Sequence, residues 1–209
     1  MKVLAIIYVK SIRDIMPGVL DALAAQTFRD FSLMVHELAP VRLNAEAQKN
    51  KSENVTRNRN VVRKMALASD AEYFAWVDSD VVIPTNCLQD FVNASASGER
   101  KLLAGWVHKV ASKDWAAGSY KDGVMQFHQK PVEGIIEADL VSIGCSFIHR
   151  SVLEKLEFRT AVDEEVKSGD GTAFYKGNCL SFCEDAAKMG VKPFLVGTVV
   201  CRHLAMFSF

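Results

Sequence analysis

The chain has 209 residues, of which 49% are apolar and 24% charged, ordinary values for a soluble globular protein able to bury a substantial core. Lys plus Arg equals Asp plus Glu at 25 each, so the molecule as a whole has no electrostatic preference for nucleic acid. No apolar run approaches the roughly 18 residues a membrane-spanning helix needs. The five cysteines (Cys87, Cys145, Cys179, Cys183 and Cys201) are scattered, odd in number and without the paired spacing of a zinc site. Free thiols and no span point to a cytoplasmic protein.

In chain order, Val3–Val9 is a continuous β-branched and apolar run, the pattern of a strand buried on both faces. Pro17 suits the first turn of a helix, and Val19, Leu20, Leu23 and Ala24 repeat at helical spacing toward Phe28. Phe31–His36 reads as a second strand. Residues 38–54 are polar and irregular, the composition of a mobile loop. Val55–Ala68 is helical, with Val61, Val62, Met65 and Ala66 as its apolar stripe. Seven basic residues stand against two acids between Val41 and Lys64. That bias is a solvated helix face or a segment turned toward an anion. Tyr73–Val77 is a third strand, and Pro84 opens a helix to about Asn93. The order β-α-β-α-β-α predicts a parallel sheet with helices packed on it.

The second half changes character. Leu102–Val110 and Val124–His128 read as strands separated by a turn near Gly118, and Ala138–Ile148 as a strand interrupted by Gly144. Ser151–Leu156 is a short helix, Phe158–Gly177 is irregular, and Asn178–Met189 is a helix closed by Gly190. Lys192–Val200 is a final strand leading to His203. With no linker or repeat, residues 1–209 read as one α/β domain, residues 1–97 holding a nucleotide and 98–209 shaping the second substrate.

Asp78-Ser79-Asp80 comes directly after the apolar run Tyr73–Val77, so two carboxylates sit at the carboxyl edge of a buried strand. Ligands of open α/β sheets bind at that edge. Carboxylate oxygen suits Mg²⁺ or Mn²⁺, which keep open positions for phosphate. Asp-X-Asp also ends strands merely as turn chemistry, so the pair acquires meaning from the rest of the chain.

Over nearly its whole length the chain resembles the GT-A glycosyltransferases of the family-2 type, whose mixed sheet is flanked by helices. Val3–Ile7, Pro17, Leu20, Gln26-Thr27-Phe28 and Phe31–Val35 lie in register with that family's opening elements. The resemblance implies that Tyr8, Val9, Lys10 and Glu37 hold the nucleotide base and ribose, with Glu37 replacing the usual Asp. Arg57-Asn58-Arg59-Asn60 resembles an Ala-Arg-Asn segment beside the nucleotide, placing Arg57 or Arg59 near the diphosphate. Asp78, Ser79 and Asp80 match the acidic metal motif. Val141–Arg150 resembles the strand that lines sugar and acceptor, which implicates Gly144 and Cys145, with Trp106 and Trp115 nearby to stack on a ring. His203 matches a histidine that completes the metal site.

One departure is plain. Inverting relatives carry an acidic pair at the start of the closing helix, where this chain has Asn178 and Cys179. Glu184-Asp185 comes one to two turns later. Asp185 is therefore the first candidate base, Asp170 on the preceding loop the second, and a retaining mechanism without such a base the third. The expected activity is metal-dependent transfer of a sugar from a nucleotide-diphosphate sugar, UDP above all, to a hydroxyl. The acceptor is open among glycans, small molecules and hydroxylated nucleobases in DNA. The alternatives are a nucleotidyltransferase of similar architecture and an inactive nucleotide-binding domain.

Overall fold

The structure, a computed structural model, describes all residues except 10, 38–46, 109–114 and 205–209. Its elements in chain order are β1 (Val3–Val9), α1 (Val19–Ala24), β2 (Phe31–Glu37), α2 (Ala47–Leu67), β3 (Tyr73–Val77), β4 (Val81–Val82), α3 (Cys87–Ala94) and β5 (Leu102–Trp106). The second half adds β6 (Gly118–Lys121), β7 (Val124–Phe127), β8 (Ile135–Glu137), β9 (Cys145–His149), α4 (Arg150–Leu153), β10 (Ala161–Lys167), β11 (Ala173–Lys176), α5 (Asn178–Lys188), β12 (Pro193–Val200) and β13 (Arg202–His203).

Seven strands form one sheet in the order β2-β1-β3-β9-β5-β12-β8. β1 runs parallel to both β2 and β3, as the alternation of strands and helices requires. The second half departs from a parallel sheet, because β9 enters antiparallel between β3 and β5 and β8 closes the edge antiparallel to β12. The sheet is therefore mixed. Helices cover both faces, and strand alternation decides which side chains meet which helix. Val3, Ala5, Ile7, Tyr73, Ala75 and Val77 pack with α1 and α3, whereas Leu4, Ile6, Phe74 and Trp76 pack with α2, α4 and α5. Gln26, fully buried, ties α1 to α3: its side-chain amide donates to the carbonyls of Ala22 and Pro84, and its oxygen accepts the N–H of Leu88.

Several expectations need correction, among them the apolar stripe of α2, in which Val62 and Ala66 are buried but Val61 and Met65 are exposed. The helix α2 begins at Ala47 rather than Val55, so only 38–46 of the expected loop lie outside the described residues. The turn between β6 and β7 falls at Asp122-Gly123, both with positive φ (53° and 78°), not near Gly118. An Asp-Gly pair is the usual chemistry of a two-residue hairpin turn. The expected strand Ala138–Ile148 is a strand only from Cys145 onward. The stretch expected to be irregular, 158–177, contains the antiparallel pair β10–β11, whose register shifts between Ala161 and Glu165. No helix among the described residues is long and apolar enough to cross a membrane.

Candidate active site

The alternation that builds the core also builds the site. Tyr8 continues the face of Leu4 and Ile6, and Asp78 continues the face of Phe74 and Trp76, so both point toward α2 and α5 at the carboxyl edge of the sheet. Arg59 projects from α2 between them, on the same face as Val62 and Ala66. Its guanidinium is buried and makes four polar contacts. Nε donates to the Tyr8 hydroxyl at 2.8 Å, Nη2 approaches Asp78 Oδ1 at 3.5 Å, and Nη1 donates to Asn178 Oδ1 and lies 3.6 Å from Cys179 Sγ. The rings of Tyr8 and Phe158 flank it at 5.8 and 5.7 Å. A forked, permanently charged donor is the one side chain that satisfies so many acceptors at once. Burial raises the Tyr8 hydroxyl above its ordinary pKa, keeping it a neutral phenol.

Asp80 lies beyond the strand and is oriented by a different pairing. β4 pairs antiparallel with β13, setting His203 opposite Val81. His203 Nε2 then stands 3.3 Å from Asp80 Oδ2, while its Nδ1 is 2.6 Å from the carbonyl oxygen of His108. A carbonyl can only accept, so Nδ1 carries a proton and Nε2 faces the carboxylate. The hydrogen bond to Asp80 raises the His203 pKa. Two acceptors face one another unless a proton or a cation lies between them. Holding one imidazole N–H on a carbonyl, which leaves the other nitrogen as a lone-pair donor, is the arrangement common for metal-bound histidine.

Among the described residues, no three His, Cys, Asp or Glu side chains converge on a single ion position. Asp80 and His203 nevertheless supply one oxygen and one nitrogen donor, and the Asp78 side chain is about one-third exposed beside Arg59. That donor set fits a hard divalent cation that takes one or two carboxylates and completes its shell with substrate phosphate.

Gly144 closes the site from the β9 side. Its carbonyl accepts the Asp78 N–H at 2.8 Å, pinning the end of β3. A Cβ at position 144 would overlap Asp78 Oδ2 and stand 2.8 Å from Asp78 Cγ, so only glycine leaves that carboxylate where it is. Beside this point a cavity of about 340 Å³ reaches Ser142 and Cys179, with Asp170 on its lining.

Other predicted residues are placed elsewhere. Val9 is buried in the α1–α3 layer, as alternation with Tyr8 demands. Glu37 is exposed opposite Val9 at the end of β2, and Arg57 is exposed on the outer side of α2. Lys10 lies outside the described residues. Trp106 is wholly buried, packed edge-on to Trp115 and His128, and offers no face to a sugar. Cys145 is likewise buried, in the layer that holds Cys87 and Cys201. Asp185 accepts from Arg159 Nε and Nη2 at 2.5 and 3.0 Å and from Lys188 at 3.0 Å, and the Arg159 bond lowers its pKa. Glu184 is paired with Lys176 at 2.9 Å. Both acids sit about two turns along α5 from Asn178, the residue that meets Arg59. Sequence reasoning assigns Asn178 no role, although it occupies the position where relatives carry an acid, and that position is the signal that could have found it.

No protein-family model and no curated protein matches the chain. Solved structures do. The A197 protein from STIV superposes with a TM-score of 0.65 at 16% identity, covering 98% of this chain and 86% of that one. Residues 1–349 of S. aureus TarS give 0.60 at 16% identity, covering 98% of this chain and 60% of TarS 1–349. GalNAc-T7, solved with UDP, GalNAc and Mn²⁺, gives 0.61 at 10% identity, with 98% of this chain and 44% of that one covered. The mixed seven-stranded sheet, its flanking helices and these superpositions together identify the chain as having the GT-A glycosyltransferase fold.

Proposed function

We propose that this protein is a divalent-cation-dependent glycosyltransferase that moves a sugar from a nucleotide-diphosphate sugar, UDP being the favoured nucleotide, to an acceptor hydroxyl. The observation that carries the reading is the pair of assemblies at one sheet edge: Asp80 with an oriented His203, and Asp78 with a buried Arg59. TarS has been solved with UDP and with UDP-GlcNAc, and GalNAc-T7 with UDP and Mn²⁺, which supports the same donor class here.

On this reading Asp80 and His203 would hold Mn²⁺ or Mg²⁺ with the Asp78 carboxylate beside them, and the ion would offset the negative charge of the departing diphosphate. Arg59 fixes the Asp78 carboxylate and the Tyr8 hydroxyl and lends positive potential to the same edge. Tyr8 and Glu37 line the nucleotide end, with residues 1–97 as the donor half and 98–209 as the acceptor half. Asp170 replaces Asp185 as the proposed base. It lines the cavity beside Cys179, whereas Asp185 is held by two cations. Five free cysteines suit a reducing cytoplasm.

Hydrolysis of UDP-, GDP- and TDP-sugars measured with Mn²⁺ tests the reading without knowledge of the acceptor. Slow hydrolysis of a UDP-sugar that EDTA abolishes is expected. Absence of turnover on every donor, or turnover indifferent to EDTA, contradicts it.

A further inference from the structure

The cavity beside Cys179 has a chemistry of its own. Its apolar wall is formed by Phe127, Leu140, Phe174 and Leu180, and its polar edge by Asp170 and Cys179. The two phenylalanine rings stand 5.4 Å apart at an angle of 48°. At about 340 Å³ the cavity falls in the small-molecule range, which runs from about 300 to 1,000 Å³.

Two of the polar side chains around it already have protein partners, and Asp170 is exposed at its mouth. Ser142 Oγ accepts the N–H of Gly144 at 3.2 Å, and Asp170 Oδ1 accepts both the N–H and the hydroxyl of Thr172, at 2.9 and 2.7 Å. A carbohydrate ring carries a hydroxyl on most of its carbons and would exchange water for carbon over much of this wall, which is unfavourable. A flat aromatic ring loses no comparable hydration and packs well against phenylalanine. The open polar end adjoins the donor side, because Cys179 Sγ is 3.6 Å from Arg59 Nη1.

We propose that this cavity binds a planar aromatic ring bearing a hydroxyl, and that, if the transferase reading above holds, this ring is the acceptor. In the transfer the bond from the sugar's anomeric carbon to the diphosphate oxygen breaks. Its electron pair leaves with the nucleotide diphosphate. A bond from the same carbon to the ring's oxygen forms, and the hydroxyl proton passes to the Asp170 carboxylate. The hydrogen bond from Thr172 keeps Asp170 below the usual carboxylate range, so it is a weak base. A phenolic hydroxyl, with a pKa of about 10 against about 16 for water, makes the smaller demand on it.

The probe is 2-naphthol, titrated by its fluorescence against the wild type, Ala116→Phe and Phe174→Ala. Ala116 lines the cavity, and a phenyl group there would fill it; Phe174 is partly exposed, so its truncation removes a wall without opening the main core. We expect wild-type binding to weaken at least tenfold in Ala116→Phe and severalfold in Phe174→Ala, with maltose unable to displace the probe. UDP binding with Mn²⁺, measured on the same wild-type sample, reports the donor side separately. Naphthol binding without UDP binding would keep the aromatic site and remove the transferase reading. UDP binding without naphthol binding, equal naphthol affinity in all three proteins, or displacement by maltose would overturn the aromatic site.

Discussion

Arg59→Met is expected to lower the melting temperature by about 6–12 °C and to remove detectable UDP binding in the presence of Mn²⁺. The guanidinium is buried among Tyr8, Asp78, Asn178 and Cys179, and methionine keeps the apolar stem of arginine to about Nε but none of its donors. Deleting one member of a buried charged network leaves its partners dehydrated and unpaired, at a cost of about 3–5 kcal/mol. The lower end of that range applies, because Asp78 is about one-third exposed and water can partly replace its partner. In a domain of this size each kcal/mol shifts the melting temperature by about 2–4 °C. Arg59→Lys keeps the charge and loses the fork, so it should recover only part of the stability. Thermal melts of the two variants, set beside Tyr8→Phe, check the result. An Arg59→Met protein as stable as the wild type would mean that the guanidinium is not the hub its contacts describe.

Gly144→Ala is expected to reduce the catalytic efficiency of donor turnover by a factor on the order of a hundred while leaving the melting temperature within a few degrees. The added methyl would stand 2.8 Å from Asp78 Cγ, so the carboxylate must turn or the strand end must shift. Either movement misplaces an acid in a site where displacement by about 1 Å costs about a hundredfold. The core next to it is not entered, since the three heavy atoms nearest the added Cβ all belong to the Asp78 side chain. Kinetics and a melt on the same preparation separate the two effects. Unchanged turnover would mean that the orientation of Asp78 does not matter to the reaction.

Tyr8, Arg59 and Asp78 are singled out in the sequence by a family resemblance, and strict strand alternation explains why the structure sets Tyr8 and Asp78 side by side. In Val3–Val9 and Tyr73–Val77 every second side chain faces α2, and Tyr8 and Asp78 fall on that beat. On α2 the expected stripe of Val61, Val62, Met65 and Ala66 is half right: Val62 and Ala66 are buried on the same face as Arg59, whereas Val61 and Met65 are exposed. The basic run between Val41 and Lys64 was ambiguous for the same reason that charge runs usually are. Arg59 and Arg63 turn inward, Arg63 donating to the carbonyl of Leu153 at 2.6 Å, while Arg57 faces water. Trp106 was not legible, because its burial arises from β5 lying between β9 and β12 rather than from its neighbours in the chain. The fate of Asp185 was equally hidden. Its partner Arg159 comes from the segment between α4 and β10, whose place depends on the antiparallel insertion of β9. The closing helix offers both an acidic pair and an Asn-Cys pair, and only the packing of α5 shows that Asn178 is the one turned to Arg59.

Calorimetry of UDP binding with and without Mn²⁺, on the wild type and Asp80→Ala, tests the central claim most directly. If Asp80 and His203 form half of a cation site completed by diphosphate, wild-type affinity should rise at least tenfold with Mn²⁺. Asp80→Ala should bind UDP equally weakly with or without the ion. Equal affinities in the wild type with and without Mn²⁺, or an undiminished Mn²⁺ effect in Asp80→Ala, would contradict it.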